Sequence, residues 1–164
     1  MQSVVRNLNE TFEATPKSVA VARAQLAAFA AAAGAQPRQV DAVRLAASEA
    51  MTNSVLHAYR GERGAIHVNA AVVSGELWIL ISDDGCGLEP RADRPGLGLG
   101  LGLISQVSDD FAIVSRASGG TEVRIRFNLE ADGGGPTESS PHGSRRRDRP
   151  ERGHPGFTPS MSAA

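Results

Sequence analysis

Three short segments hold the residues whose types and spacing could do chemistry. Glu49 and Asn53 are a carboxylate and a carboxamide four residues apart, a spacing that puts both on one face of a helix. Asp83 begins a five-residue run with glycine at its third and fifth positions, and residues 96–102 have glycine at every second position. Closely spaced glycines let backbone N–H groups approach phosphates, while carboxylate and carboxamide oxygens suit a divalent metal or a proton. In this order the segments predict a nucleotide site.

The pair on the helix predicts two separate roles. Mg²⁺ takes hard oxygen ligands, usually one or two from the protein and the rest from phosphate and water, and Asn53 can supply one such oxygen. Glu49, one turn earlier, can orient a hydroxyl or a water at the terminal phosphate and accept its proton, so it is the candidate general base. The alternative is an exposed glutamate and a helix-surface asparagine. His57, one turn further, is either a hydrogen-bonding partner near the phosphates or a structural histidine.

The first glycine segment follows a strongly apolar run, residues 76–82, so Asp83 is expected where a strand leaves the sheet. Gly85 and Gly87 permit a sharp turn that aims the Asp83 carboxylate into a cleft. If Asp83 faces inward, Asp84 should face outward. A plain polar turn is the alternative interpretation of this segment.

The second glycine segment would make a poor helix, because each interior glycine costs roughly 1 kcal/mol relative to alanine. We interpret it as a loop that runs into a helix N-terminus, where unpaired N–H groups and the positive end of the helix dipole face an anion. Arg91 and Arg94 lie between the two glycine segments and could supply cations from a lid over bound phosphates. Solvated loop arginines are the alternative.

The elements that must position these residues follow from the apolar patterns and the breakers between them. The second of two helices carries an apolar stripe that packs on a sheet, while Glu49 and Asn53 face the other way. The fold class is therefore α+β, a two-layer α/β sandwich with a mixed, mainly antiparallel sheet and helices on one face. The predicted elements are a strand within 3–14, helices over 16–33 and 37–59, a hairpin of 66–73 and 76–82, a helix over 101–107 and a hairpin of 111–115 and 121–129.

Composition indicates the extent of the folded domain, the kind of partner and the cellular location. Residues 131–164 contain no Val, Ile or Leu and are rich in Gly, Pro, Ser and Arg, so we expect a folded domain over 1–130 and a disordered tail beyond it. A formal net charge of −1 disfavours nucleic acid as a direct partner. The single cysteine, Cys86, favours a reducing compartment, and neither a signal peptide nor a membrane span is expected. The cytoplasm is the predicted location.

Two familiar nucleotide sites do not match the chain. It has no G-x-x-x-x-G-K-[ST] motif, and its one lysine is Lys17, so a P-loop and a lysine-dependent eukaryotic kinase site are both disfavoured. The sequence Gly98-Leu99-Gly100 lies between two predicted antiparallel hairpins rather than inside a βαβ unit. A dinucleotide site of the Rossmann type is therefore disfavoured as well.

The three segments together resemble a known superfamily. The run from Glu49 to Asn53 with His57-Ala58 resembles the N-box, Asp83-x-Gly85-x-Gly87 the first glycine box, and Gly98-Leu99-Gly100 the second, of the gyrase/Hsp90/histidine-kinase/MutL ATP-binding superfamily. Within it, residues 3–129 resemble the small bacterial anti-sigma factor serine/threonine kinases. Jointly the motifs are highly specific for that ATP-binding fold, called Bergerat-type, and less specific for the activity.

The resemblance implies ATP and Mg²⁺ as cofactors and gives each site residue a role. Asn53 would hold Mg²⁺ on the ATP phosphates, Asp83 would bind the adenine amino group, and Thr121 would help anchor a water linked to adenine. Glu49 would activate a serine hydroxyl on an anti-anti-sigma protein. The other residues that the resemblance places around the nucleotide are His57, Gly85, Gly87, Arg94, Gly96, Gly98, Leu99 and Gly100.

The resemblance also implies partners. Phosphoryl transfer would release the anti-anti-sigma protein, so that the kinase can hold and inhibit a sigma factor, and a homodimer is expected. The predicted lid, 88–95, is short for the family, which leaves the role of Arg91 or Arg94 at the γ-phosphate open. Two alternatives remain: a non-catalytic ATP-binding interaction module, and the catalytic fragment of a sensor histidine kinase. The latter is disfavoured because the roughly forty residues before the N-box show no dimerisation helix with a phospho-acceptor histidine.

Overall fold

The computed structural model describes residues 7–59, 62–87 and 99–129, and for Leu99 the backbone alone. The predicted strand residues 3–6, Arg91, Arg94, Gly96, Gly98 and the predicted tail, 131–164, lie outside these ranges. Along the chain the elements are β1 (Asn7–Glu13), α1 (Pro16–Ala32), α2 (Pro37–Asn53), a π-helical segment (Ser54–Ala58), β2 (Ala65–Val73), β3 (Glu76–Asp83), α3 (Leu99–Val107), β4 (Asp110–Ser115) and β5 (Thr121–Asn128).

The strands form one sheet in the order β1-β2-β3-β5-β4, and each neighbouring pair is antiparallel. The turn between β2 and β3 has positive φ at Ser74 (52°) and Gly75 (81°). Positive φ at both central residues is typical of a two-residue hairpin turn, whose twist matches that of the two flanking strands. Strand β3 is the central strand, and Asp83 is its last residue. Both predicted hairpins are confirmed.

The helices lie on one face of the sheet. Alternate side chains of β2, β3 and β5 are buried in a single core with side chains of α1, α2 and α3. Burial of each large aliphatic side chain stabilises the fold by roughly 1.5–3 kcal/mol, so this core holds the layers together. The predicted two-layer α+β sandwich is confirmed. The largest fully buried side chains are those of Leu26, Val43, Met51, Ile66, Val68, Leu77, Ile79, Ile81, Ile104, Ile125 and Phe127.

The opposite face of the sheet carries half-buried and charged side chains. Trp78 of β3 lies there, with the guanidinium of Arg126 5.8 Å from its ring centre. Arg126 also donates to the Glu76 carboxylate at 2.6 Å, and that carboxylate accepts from the Trp78 indole N–H at 3.1 Å. This cluster joins β3 to β5 on the side of the sheet away from the helices.

Both long helices begin at the predicted prolines. Thr15 caps α1, its side-chain oxygen accepting from the Ser18 N–H at 3.4 Å, and Pro16 takes the first helical position, where no N–H is needed. At the start of α2 the Gln36 N–H donates to Gln39 Oε1 at 3.1 Å, ahead of Pro37. None of the helices in the described part of the chain is both long and apolar enough to span a bilayer.

The end of the second helix differs from the prediction of a continuous α-helix to Tyr59. The last five helical residues are π-helical. The carbonyl oxygen of Ala58, the last helical residue, accepts the Cys86 N–H at 2.9 Å. Segments of this wider type are frequent at functional sites. Here the segment packs the helix end against the turn that follows β3.

The third helix also differs from the prediction, because it begins at Leu99 rather than at residue 101. Gly100 is therefore helical and not part of a loop, while Gly102 lies within the helix as predicted. Gly100 has a steric reason to be glycine, since its backbone lies against the side chain of Glu49, whereas a β-carbon at Gly102 would meet no atom within 4 Å. The residues before Leu99 lie outside the described ranges, so the loop that is expected to run into this helix stays a prediction.

Candidate functional site

Asp83 is the most constrained polar residue of the site. It is only 4% exposed, and its carboxylate accepts three hydrogen bonds. The hydroxyl of Ser54 donates to Oδ2 at 3.0 Å, while the N–H groups of Gly85 and Thr121 donate to Oδ1 at 3.1 and 3.2 Å. An ionised carboxylate has about four acceptor positions, so one position remains, on Oδ2. That position suits a single donor such as an amino group of a base.

Glycines let the neighbouring backbone approach Asp83. A β-carbon on Gly120 would overlap the carbonyl oxygen of Asp83, and one on Gly85 would overlap the carbonyl oxygen of Ala58. Gly87 and Gly120 have φ of 74° and 83°, the left-handed region that favours glycine. The turn after β3 is therefore enclosed by the end of the second helix on one side and by the β4–β5 hairpin on the other.

We expect Gly120→Ala to lower the free energy of unfolding by about 2–5 kcal/mol, combining left-handed backbone strain with overlap at the Asp83 carbonyl. Gly119→Ala is the matched control, because Gly119 has a φ of 93° but a β-carbon there would meet no atom within 4 Å. Urea unfolding of both variants measures the difference. Equal destabilisation would contradict a close packing of the hairpin on Asp83.

Glu49 and the third helix meet directly. A β-carbon on Gly100 would lie 2.5 Å from Glu49 Oε2, so the first turn of α3 lies against this carboxylate. Gly100 is the second described residue of α3, so its N–H lies in the first described turn of that helix. The positive end of the α3 dipole therefore faces the candidate general base and any anion bound beside it.

Asn53 has a property that fits a ligand site. Its Nδ2 atom is buried and has no hydrogen-bond partner among the described residues. A buried polar group left unpaired costs roughly 1–3 kcal/mol, which a bound phosphate or water would offset. The described residues contain no group of three or more His, Cys, Asp or Glu that could hold a metal. A metal beside Asn53 would take its other ligands from phosphate and water, as Mg²⁺ does.

The remaining predicted site residues are placed as follows. His57 lies in the π-helical segment, where its carbonyl oxygen accepts from Cys86 Sγ at 3.5 Å. Thr121 begins β5 and contacts Asp83 through its backbone N–H rather than its side chain. Leu99 begins α3. Arg94, Gly96 and Gly98 lie outside the described residues, so their predicted roles are not tested.

Several residues that position the site were not predicted. Ser54 falls at helical spacing after Val43, Ala47 and Met51, and a polar residue in such an apolar stripe is an indication that the sequence offers. Asp84 accepts from His67 Nε2 at 2.8 Å and from Arg116, and its backbone N–H donates to Tyr59 Oη at 2.9 Å. These partners come from distant parts of the chain, and no local pattern pointed to them. As predicted, Asp84 faces outward beside the buried Asp83.

Hydrogen bonds from His67 and then Arg116 hold the pKa of Asp84 below its usual value of 3.8. A lowered carboxylate pKa stabilises the fold above the unfolded-state pKa, and this stabilisation is lost as the pH falls through the folded-state pKa. We therefore expect Asp84→Asn to lower the melting temperature by a few degrees at pH 7, since such exposed pairs contribute at most about 1 kcal/mol. Melting curves between pH 7 and pH 2 should show the two proteins converging below about pH 4. A difference that is constant across this range would contradict the expected loss.

The second helix and the central strand both end at one site, which glycines border. This architecture defines an ATP-binding domain, the same class of domain that the three sequence motifs resemble. Comparison with known proteins agrees. The family described as "Histidine kinase-like ATPase domain" matches residues 12–127. The chain belongs to this ATP-binding family.

Individual relatives show which members of this family the chain is similar to. The chain is 32% identical over 136 residues to the anti-sigma F factor of Clostridium botulinum (strain Eklund 17B / Type B), covering 74% of this chain and 95% of the relative. The anti-sigma F factor of Clostridium acetobutylicum is 28% identical over 126 residues, covering 70% and 88%. Among solved structures, the RsbU and RsbW domains of a Mycobacterium tuberculosis protein match with a TM-score of 0.61 and 26% identity, over 76% of this chain and 32% of that one.

Proposed function

We propose that the protein is an ATP-dependent serine/threonine kinase of an anti-anti-sigma protein, and that it binds and inhibits a sigma factor. The observation that supports catalysis most directly is the position of Glu49, one helical turn before Asn53 and against the N-terminal turn of α3. The relatives named as anti-sigma F factors support a sigma factor as the second partner.

In this proposal ATP binds between the second helix, the turn after β3 and the start of α3. The free acceptor position on Asp83 Oδ2 takes the adenine amino group, and the first-turn N–H groups of α3, including that of Gly100, bind phosphate oxygens. Asn53 would hold Mg²⁺ through its side-chain oxygen, and the ion would supply charge neutralisation at the phosphates.

Glu49 then acts as the general base for a serine hydroxyl of the partner. The hydroxyl oxygen forms a bond to the γ-phosphorus, the bond from that phosphorus to the β–γ bridging oxygen breaks, and the hydroxyl proton passes to the Glu49 carboxylate. ADP is the leaving group. Positioned general bases contribute typically about 10²–10⁴-fold to such rates.

The proposed partners follow from the same step. A phosphoserine carries about −1.5 to −2 charge at neutral pH, which weakens a contact made with an uncharged hydroxyl. Release of the phosphorylated protein leaves the kinase available to a sigma factor. A homodimer stays a prediction.

The test is incorporation of label from γ-labelled ATP into a candidate anti-anti-sigma protein, identified by gene neighbourhood or pull-down. Transfer to a serine or threonine supports the proposal. ATP binding without transfer to any candidate would instead favour the non-catalytic interaction module. Autophosphorylation on a histidine would favour the histidine-kinase alternative.

A pair of glycine substitutions should separate catalysis from stability. Gly100→Ala places a methyl group against the flexible end of Glu49, so we expect phosphotransfer to fall by about tenfold or more, since misplacement of a catalytic group by about 1 Å has effects of this size. Gly102→Ala is the matched control, because a β-carbon there meets nothing within 4 Å. It should keep its activity and gain about 0.5–1 kcal/mol of stability, as alanine favours helix. Equal activity of both variants, measured by label transfer, would contradict the placement of Glu49.

A further inference from the structure

Asp84, the exposed neighbour of Asp83, is the centre of a second set of contacts. Its carboxylate accepts from His67 Nε2 at 2.8 Å on one oxygen and from Arg116 on the other. Its backbone N–H donates to Tyr59 Oη at 2.9 Å. Side chains from β2, from the β4–β5 hairpin and from the end of the second helix therefore meet at this one residue. We call Asp84, His67, Arg116 and Tyr59 the Asp84 cluster.

Arg116 links this cluster to Asp83. The same guanidinium nitrogen that contacts Asp84 also donates to the backbone carbonyl oxygen of Asp83 at 3.0 Å. The Arg116 N–H donates to the Gly120 carbonyl at 3.1 Å and closes the hairpin turn. The next residue, Thr121, supplies one of the three hydrogen bonds to the Asp83 carboxylate. A shift of Arg116 would therefore move both the backbone and the carboxylate of Asp83.

Tyr59 fixes the other side of the cluster. Its hydroxyl donates to the Ala65 carbonyl while it accepts from Asp84, and a β-carbon on Gly64 would overlap its ring. His67 is held in turn by Thr11, whose hydroxyl lies 3.1 Å from His67 Nδ1. Strands β1 and β2, the β4–β5 turn and the end of the second helix thus all contribute to the position of one exposed carboxylate.

The exposure of the cluster argues against stability as its main role. The side chain of Asp84 is 50% exposed, and those of His67 and Arg116 are 33% and 28% exposed. Ion pairs this exposed contribute little to folding. Their geometry is nevertheless specific, because both Asp84 oxygens and the Asp83 carbonyl are used together.

We propose that Asp84 and Arg116 are positioning residues for base discrimination: they hold Asp83 where its free acceptor position meets the amino group of adenine. This inference rests on the proposed function, since it requires a bound adenine nucleotide. Neither residue touches the base. Loss of either one should lower the affinity for ATP by loosening Asp83, and should change affinity little for a nucleotide without the amino group.

The test uses the full chain, with Asp84→Asn and Arg116→Gln, and titrates Mg²⁺ with ATP and, separately, with purine riboside triphosphate, which lacks the 6-amino group. We expect ATP to bind about tenfold more weakly to each variant, with the analogue unchanged, so that the ratio of the two affinities falls about tenfold; this corresponds to one charge-assisted hydrogen bond. Arg116→Lys keeps the charge but has a shorter side chain and no planar guanidinium, so its affinity ratio should lie between those of the parent and Arg116→Gln. Arg124→Gln is the control, because Arg124 is an exposed arginine that contacts a different carboxylate, that of Glu122, at 2.6 Å on the same sheet.

The outcomes are distinguishable from failure of the proposed function. A parent protein that binds neither nucleotide contradicts the nucleotide site itself. A parent that prefers ATP while both variants keep that preference overturns the role of the cluster. An equal loss for ATP and the analogue also overturns it, because a general structural defect weakens both. If Asp84→Asn does not fold, Arg116→Lys and Arg116→Gln give the same readout.

Discussion

Replacing Glu49 with alanine is expected to lower phosphotransfer to the partner protein by about 10²–10⁴-fold, the usual contribution of a positioned general base. ATP affinity should be nearly unchanged, because Glu49 is assigned to the incoming hydroxyl and not to the nucleotide. The measurements are label transfer at saturating partner and calorimetric titration with Mg²⁺ and ATP. A lower rate of transfer with an unchanged ATP affinity means that the substitution removes an interaction made in the transition state and leaves ground-state binding of ATP in place.

Two further variants make the Glu49 result interpretable. Glu49→Gln keeps the size of the side chain and its packing against Gly100 but cannot accept the proton, so it should be as inactive as the alanine variant. Ser48→Ala should be active, since the Ser48 hydroxyl donates to the backbone carbonyl oxygen of Arg44 in its own helix, at 2.8 Å. Full transfer by Glu49→Gln would exclude Glu49 as the base.

Asp83→Asn should weaken ATP binding by about 100-fold or more while leaving the protein folded. The asparagine oxygen can still accept from Gly85 and Thr121, and its NH₂ group can donate to the Ser54 hydroxyl, which also accepts. The remaining outward position then carries a donor hydrogen where the adenine amino group needs an acceptor. Loss of a hydrogen bond to a charged group costs about 1.5–3 kcal/mol of binding free energy. The asparagine NH₂ and the adenine amino group, two donors that face each other, add to this cost.

The change from an acceptor to a donor at this position also predicts a gain in affinity for a different nucleotide relative to ATP. A misfolded protein could not produce such a gain. A nucleotide with a 6-oxo group, such as inosine triphosphate, presents an acceptor at that position. Its affinity relative to ATP should rise in Asp83→Asn. Calorimetry with both nucleotides measures the ratio, melting curves establish that the variant is folded, and Asp41→Asn, at a mainly exposed helix residue, is the control. An Asp83→Asn protein that binds ATP like the parent would exclude Asp83 as the adenine residue.

Much of this fold could be predicted from local patterns. The prolines at 16 and 37 and the glycine at 75 specify helix starts and a hairpin turn through their own backbone preferences. The β-rich runs over residues 66–73 and 76–82 identified β2 and β3. The position of Asp83 at the end of an apolar strand was evident for the same reason. These features depend on residues close in sequence.

The remaining features depend on contacts between distant residues. Arg116 and His67 reach Asp84 across 32 and 17 residues, and neither has an unusual neighbourhood in the sequence. The π-helical segment exists where Ser54 and Ala58 meet the turn after β3, and the early start of α3 places Gly100 beside Glu49. Each of these requires the sheet and helices to be assembled first, so no window of local sequence contains the information.

Trp78 is the one tryptophan of the chain, and it lies on the central strand five residues before Asp83, partly covered by Arg126. The protein therefore has an intrinsic optical reporter whose emission depends on a nearby cation and on the integrity of the middle of the sheet. Stopped-flow fluorescence, without any added dye, would record when that strand pairs during refolding. Circular dichroism would record the helices over the same interval, so the two layers can be timed independently.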